Sequence, residues 1–251
     1  MSILYKYTDI VGAKKFLRNL TLKFSKPKEF NDPFEFHEKL IDDNLSEEHF
    51  LQILSSAGIT DPNTISAHRE IFKRDYPDFV NRISDTHRRR KEATKLCCFS
   101  TDHDNILMWS HYAEKHKGIC IGFSKEIIQS ILPEDSTING ANYCKNITPL
   151  NISVYKDEAI NNWVLTKYQG WEYENEVRII IGGGMNNIIP ASLIKIPENS
   201  ISEIYLGCII DPKEKKNIRK LIKKLHNKPD VYEMNISDSE FKLIRNKIDS
   251  I

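Results

Sequence analysis

The run Trp171-Glu172-Tyr173-Glu174-Asn175-Glu176-Val177-Arg178-Ile179-Ile180-Ile181 constrains the fold more than any other segment of the chain. Val177 and the three isoleucines are β-branched, stiff at χ1 and suited to a pleated surface, so they predict a strand. Successive side chains of a strand point to opposite faces, which places Glu174, Glu176 and Arg178 together on one of them. Two readings of that face stay open. It is a solvated face with cross-strand ion pairs. Alternatively it is a site, in which two neighbouring carboxylates push each other's pKa values apart and Arg178 keeps one of them ionised.

Composition narrows the function classes. The chain has 251 residues, 40% hydrophobic and 28% charged, an ordinary globular balance with material for a substantial core. Its net charge of +1 gives no global field to recruit a polyanion. No apolar run approaches the roughly 20 residues of a membrane span, and Met1–Tyr7 lacks the apolar stretch of a secretory signal. The five cysteines include no CxxC pair. That pattern predicts reduced thiols in a cytoplasmic protein without a membrane association.

The rest of the chain predicts an α+β fold: a mostly antiparallel mixed sheet with a helical insertion after the second strand, at about residues 38–95, in a single domain over 1–251. Strands are expected at residues 3–7, 20–24, 96–100, 118–123, 171–181, 201–207 and 231–234. Asp9 and Asp211 are expected N-caps, the second followed by Pro212 at the first helical position. The insertion reads as two or three helices broken near Gly58–Pro62 and Tyr76-Pro77. Residues 134–162, rich in Asn, Ser, Thr and Pro, read as a long loop. Gly182-Gly183-Gly184 has no following Lys-Ser/Thr and reads as a hairpin turn, not a P-loop.

Other chemistry-bearing groups surround these elements. Trp109 and Tyr112 could form a stacking surface for a planar ligand such as a nucleobase or nicotinamide, or the buried face of a short helix. His116 falls near that helix's end, where it complements the macrodipole. The turn Phe30-Asn31-Asp32-Pro33-Phe34-Glu35 can present Asn31 or Asp32 to a ligand. His111 and His116 are five apart, off the i,i+4 spacing of paired helical ligands, so no metal site is expected. The basic runs His87–Lys91 and Lys213–Lys224 could each meet phosphates or form solvated faces.

Several segments together resemble a bacterial family described only as a domain of unknown function. The resemblance rests on Leu4-Tyr5-Lys6-Tyr7, Phe30–Glu35, Phe99-Ser100, Trp109–Ala113 with His116-Lys117-Gly118, and Trp171 through Arg178. Glu174-Asn175-Glu176 is also similar to the E-x-E element of NAD-dependent ADP-ribosyltransferases. That likeness implies NAD as substrate, with no metal, and a protein or nucleic-acid acceptor, the chemistry of a bacterial toxin or phage-defence effector. Glu176 would stabilise the oxocarbenium ion and Glu174 would orient the acceptor. Tyr5, Tyr7 or Trp109 would stack on nicotinamide and Ser100 would support the ribose. The chain departs from the pattern at the first strand, where Lys6 or Tyr7 stands in place of the usual Arg or His. Two other classes remain: a non-catalytic module binding nucleic acid or protein through the helical insert and the Trp109/Tyr112 surface, and a nuclease holding Mg²⁺ between Glu174, Glu176 and Asp32.

Overall fold

The computed structural model describes residues 2–30, 32–155, 157–182 and 191–248. The chain begins with β1 (Ile3–Thr8), α1 (Ile10–Asn19) and β2 (Thr21–Lys23), followed by β3 (Ile41–Asp42), α2 (Glu47–Ser56) and α3 (Pro62–Ala93). Next come β4 (Lys95–Ser100), α4 (Ile106–Tyr112), β5 (Ile119–Ser124), α5 (Lys125–Ile131), β6 (Thr137–Gly140), β7 (Asn142–Cys144) and β8 (Leu150–Asn151). The chain continues through α6 (Ile152–Tyr155), α7 (Asp157–Leu165), β9 (Thr166–Tyr168), β10 (Glu176–Ile181) and β11 (Leu193–Lys195). It closes with β12 (Ile201–Leu206), α8 (Pro212–Ile222), β13 (Asp230–Ile236) and β14 (Leu243–Lys247).

The α+β class and the mostly antiparallel mixed sheet are as expected. Eight strands pair in the order β14-β13-β12-β5-β1-β4-β10-β6, and the β12–β13 contact is parallel. One face of this sheet carries Leu4, Phe99, Ile121, Phe123, Ile179 and Ile181, covered by Phe16 and Leu17 of α1, Ile128 of α5 and Ile218 and Ile222 of α8. The opposite face is covered in two places. Trp109 of α4 packs with Tyr5, Tyr7, Cys120 and Tyr205, and Trp163 of α7 packs with Leu96 and Ile180. Among the described residues no helix is long and apolar enough to cross a membrane.

Local signals held where one side chain decides the outcome. Asp9 Oδ1 accepts from Gly12 N at 2.6 Å, and Asp211 Oδ1 accepts from Lys213 N and Glu214 N, with Pro212 opening α8. Four expectations fail. Pro77 does not break the insert but lies inside the 32-residue α3. Phe50–Phe72 and Phe72–Tyr76 ring contacts, at 4.4 and 5.0 Å, hold that turn against α2. Residues 134–162 are not a loop but carry three short strands and α6 and lead into α7. A strand after 231–234, β14, pairs with β13 although its exposed residues give no alternating pattern. Finally, the strand expected from Trp171 begins only at Glu176, because residues 169–174 form 3₁₀ turns and Asn175 reverses the backbone at φ 43°. Of the triple glycine, Gly183 and Gly184 lie outside the described residues.

The link between α4 and β5 is unusually tight. Glu114, Lys115 and His116 all adopt positive φ, and their turn is pressed against β1 and the end of β12. A Cβ on Gly118 would stand 2.2 Å from Thr8 O, and one on Gly207 would stand 2.1 Å from His116 O. Both obstacles are backbone atoms and cannot rotate away. Gly118→Ala is therefore expected to cost about 1–3 kcal/mol, the range of overpacked cores. A urea midpoint unchanged from the parent protein would contradict this packing.

Candidate active site

β4 sits between β1 and β10, and the cross-strand register aligns three residues: Tyr5 opposite Ser100, and Ser100 opposite Glu176. Residues directly opposite in antiparallel strands share a face, so this row lies on the α4 side of the sheet. β1 pairs with β5 along its whole length but meets β4 at the single Tyr5–Ser100 register position. A cavity of about 190 Å³ opens beside this parting. Its polar lining includes Lys6, Asp32, Ser100, Tyr112, Lys167, Glu174 and Glu176, and its apolar lining includes Phe30, Phe99, Met108 and Trp171.

The charges at its floor form one buried network. The Lys167 ammonium meets Glu174 Oε2, Glu176 Oε2 at 2.6 Å and Glu35 Oε1 at 3.0 Å. The fully buried Arg178 guanidinium donates to Glu176 Oε1 at 2.8 Å, Glu35 Oε1 at 2.7 Å and Val164 O at 2.6 Å. Its carbon also stacks 5.1 Å over the Phe36 ring. Tyr112 donates its hydroxyl to Glu174 Oε1 at 2.6 Å. The face carrying Glu176 and Arg178 is therefore neither solvated nor exposed. Glu174 reaches it from the 3₁₀ turn rather than from the strand.

This environment separates the two carboxyls. Burial works against ionisation of Glu176, but Arg178 and then Lys167 outweigh it and hold its pKa at about 2 instead of 4.5. For Glu174 burial dominates and raises the pKa, with Lys167 and Tyr112 opposing. Burial likewise disfavours the Lys167 charge, yet Glu176, Glu35 and Glu174 more than reverse this and raise its pKa. Because the Glu176 carboxyl titrates lower folded than unfolded, its stabilising contribution is present above pH 4.5 and is lost as pH falls toward 2. Urea unfolding at a series of acidic pH values should show stability declining through that window. A flat profile there would mean that the carboxyl is not held this way.

The other expected site residues divide. Tyr5, Tyr7, Ser100, Tyr112, Asp32, Glu174 and Glu176 all line the cavity, while Arg178 stands behind Glu176. Tyr5 donates outward to Glu203 Oε2 at 3.1 Å, and burial followed by Glu203 raises its pKa to about 12. Tyr7 donates to Asp102 O at 2.9 Å. The Ser100 hydroxyl donates to Glu174 O at 2.7 Å and its Oγ accepts from Asp102 N at 3.0 Å, so it fixes the 3₁₀ turn to β4. Asp32 Oδ2 receives Trp171 Nε1 at 2.7 Å, while Asn31 lies outside the described residues.

Trp109 must be corrected. It is wholly buried, donates Nε1 to His103 O at 2.8 Å, and packs edge-on against Tyr7, so it has no face left for a ligand. His116 is also elsewhere: Nε2 is 2.9 Å from Ser110 Oγ, and its ring borders a separate hollow near Cys208 and Phe241. Burial lowers its pKa, which is the reverse of a cation complementing a helix end. Beside Tyr5 and Tyr7, the aromatic lining of the cavity is Phe30, Phe99, Tyr112 and Trp171. Lys167 and Glu35 complete the network without having been singled out. Glu35 stood within the Phe30–Glu35 motif, whereas Lys167 had no sequence signal.

The point where Glu35, Glu174 and Glu176 converge holds the Lys167 ammonium. Among the described residues no three His, Cys, Asp or Glu side chains are grouped so that they could hold a metal ion. Three cations of the basic run of α3 have carboxylate partners within the fold, Arg88 on Asp85, Arg90 on Asp157 and Lys91 on Glu38.

Comparison with known proteins adds one match. A family described as Protein of unknown function (DUF2971) matches residues 108–179, the stretch holding Tyr112, Lys167, Trp171, Glu174, Glu176 and Arg178. No curated protein and no solved structure matches the chain.

Proposed function

We infer that this cavity takes NAD as a substrate, breaks the bond between nicotinamide and ribose, and passes the ADP-ribosyl group to a protein or nucleic-acid acceptor. The observation that carries the reading is the row Tyr5–Ser100–Glu176 across three neighbouring strands, opening on a ring-sized cavity where β1 and β4 part. When the glycosidic bond breaks, its electron pair leaves with neutral nicotinamide and positive charge develops on the ribose. An ionised carboxylate fixed in a low-dielectric wall stabilises that charge without reorganising. Glu176 meets these conditions, because Arg178 fixes its plane and its pKa is about 2. Glu174, with its raised pKa, is suited to take the acceptor's proton as the new bond to ribose forms. Phe30, Tyr112 and Trp171 supply the apolar walls for the nicotinamide ring.

The test is incubation of the purified protein with NAD, following released nicotinamide and ADP-ribosylated acceptor. Release that depends on Glu176 supports the reading. No release and no labelled acceptor, with folded protein and cell lysate supplied, removes it.

A further inference from the structure

The charge of this molecule is unevenly placed. Residues 14–28 and 213–228 together hold fourteen Lys and Arg against a single Glu, a surplus of thirteen, while the whole chain carries only +1. The remaining 220 residues therefore sum to −12. The two stretches meet only in part: α1 and α8 pack side by side, joined by the Lys14–Glu214 ion pair, whereas Lys23 pairs with Glu29 and Lys26 and Lys28 border a hollow beside Glu38 and Trp163. Ordinary solvated surfaces intersperse both signs, and a large single-sign field is a feature of steering and polyanion binding.

Geometry makes the α8 part of the surplus a face. Along α8 and its C-cap, Lys213, Lys216, Lys220 and Lys223 follow one another at helical spacing and all are exposed, with Lys224 beside them. The row rises about 15 Å from end to end. None of these five has a carboxylate partner among the described residues. Lys15 and Arg18 of α1 are exposed as well. The apolar residues Ile218, Ile222 and Leu225 point the other way, into the core.

We propose that the α1–α8 face binds the phosphate backbone of duplex nucleic acid, without reading sequence. A lysine row with no carboxylate opposing it matches a line of phosphates and releases their counterions on binding. Large apolar side chains that would insert into a membrane interface are absent from the exposed side of α8. Aromatic platforms for unstacked bases are absent there too, which favours duplex over single strand. This face lies on the opposite side of the sheet from the Tyr5–Ser100–Glu176 row, so its binding is independent of the reaction proposed above.

The experiment measures anisotropy of a labelled mixed-sequence duplex with the full chain, across about 50–200 mM salt. Four phosphate contacts give a log–log salt slope of about −3.6, a loss of about 10²-fold in affinity over that range. The triple variant Lys216→Glu/Lys220→Glu/Lys223→Glu should bind at least about tenfold more weakly with a shallower slope. Arg88→Gln/Arg89→Gln should bind as the parent does, and so should Glu176→Gln. Far-UV circular dichroism checks the fold, and the single change Lys220→Glu gives a milder second variant. The proposal is overturned by an absence of duplex binding at the lowest salt, by unchanged affinity in the folded α8 variants, or by equal weakening in the Arg88/Arg89 variant. Tighter binding of a single strand, or binding only to phosphatidylserine vesicles or an acidic protein, overturns it as well.

Discussion

Lys167→Met should lower the stability of the protein by about 3–5 kcal/mol, the cost of removing one partner from a buried ion network. Methionine keeps most of the methylene volume, so packing changes little and the loss is electrostatic. Glu35, Glu174 and Glu176 would then face one another around the vacated position with only Arg178 to answer them. The measurement is urea unfolding at several pH values. Without the ammonium the carboxyls hold their protons more readily, so the variant should recover part of its deficit on mild acidification. The parent begins to weaken only below about pH 4.5, where the carboxyl of Glu176 takes up a proton in the unfolded chain first. Adding Glu174→Gln to the variant should restore some stability, because it removes a like charge. Surface pairs give the contrast, since Lys73–Glu70 and Arg88–Asp85 are largely exposed and their loss should move the urea midpoint over a much smaller range. A Lys167→Met midpoint within that smaller range would show that water reaches the cluster.

Glu176→Gln should reduce nicotinamide release by about 10²–10³-fold in kcat, the usual effect of removing one preorganised charge-stabilising group. NAD affinity should change little, because the lost interaction belongs to the transition state. The amide also gives up the charge paired with Arg178, so the comparison is made at a temperature where circular dichroism shows the variant folded. Glu174→Gln should separate the two roles. If Glu174 serves the acceptor, transfer falls more than release. Retention of the parent rate by folded Glu176→Gln would remove Glu176 from the chemistry.

The parts of this site legible in the sequence were those set by short-range periodicity. Val177 through Ile181 announced a strand by β-branching, and a period of two placed Glu176 and Arg178 on one face, as they are. The same period misplaced Glu174, because the positive φ of Asn175, a residue that tolerates the left-handed region, breaks the alternation, and the β-branched run that follows outweighed that local signal. Trp109 failed for another reason. The α4 helix exposes Ile106 and Leu107 while burying Met108 and Trp109, and a seven-residue helix carries too little pattern to fix which side faces the core. Lys167 was invisible because its partners lie both near it and at Glu35, far away in the chain. A lone lysine in Thr166-Lys167-Tyr168 looks like any other on a short strand until the fold closes around it.

The single register position at which β1 pairs with β4 bears on how the molecule opens. To one side, β14, β13, β12, β5 and β1 form a continuous ladder; to the other stand β4, β10 and β6. Cooperative opening units follow dense pairing, so a ladder this thin at one seam divides the sheet into two exchange units. Amide hydrogen exchange should show β5 and β12 released together, and β4 and β10 released together with a different free energy. The cavity lies on the seam, so a substrate that spans it would fasten one unit to the other and slow exchange in both.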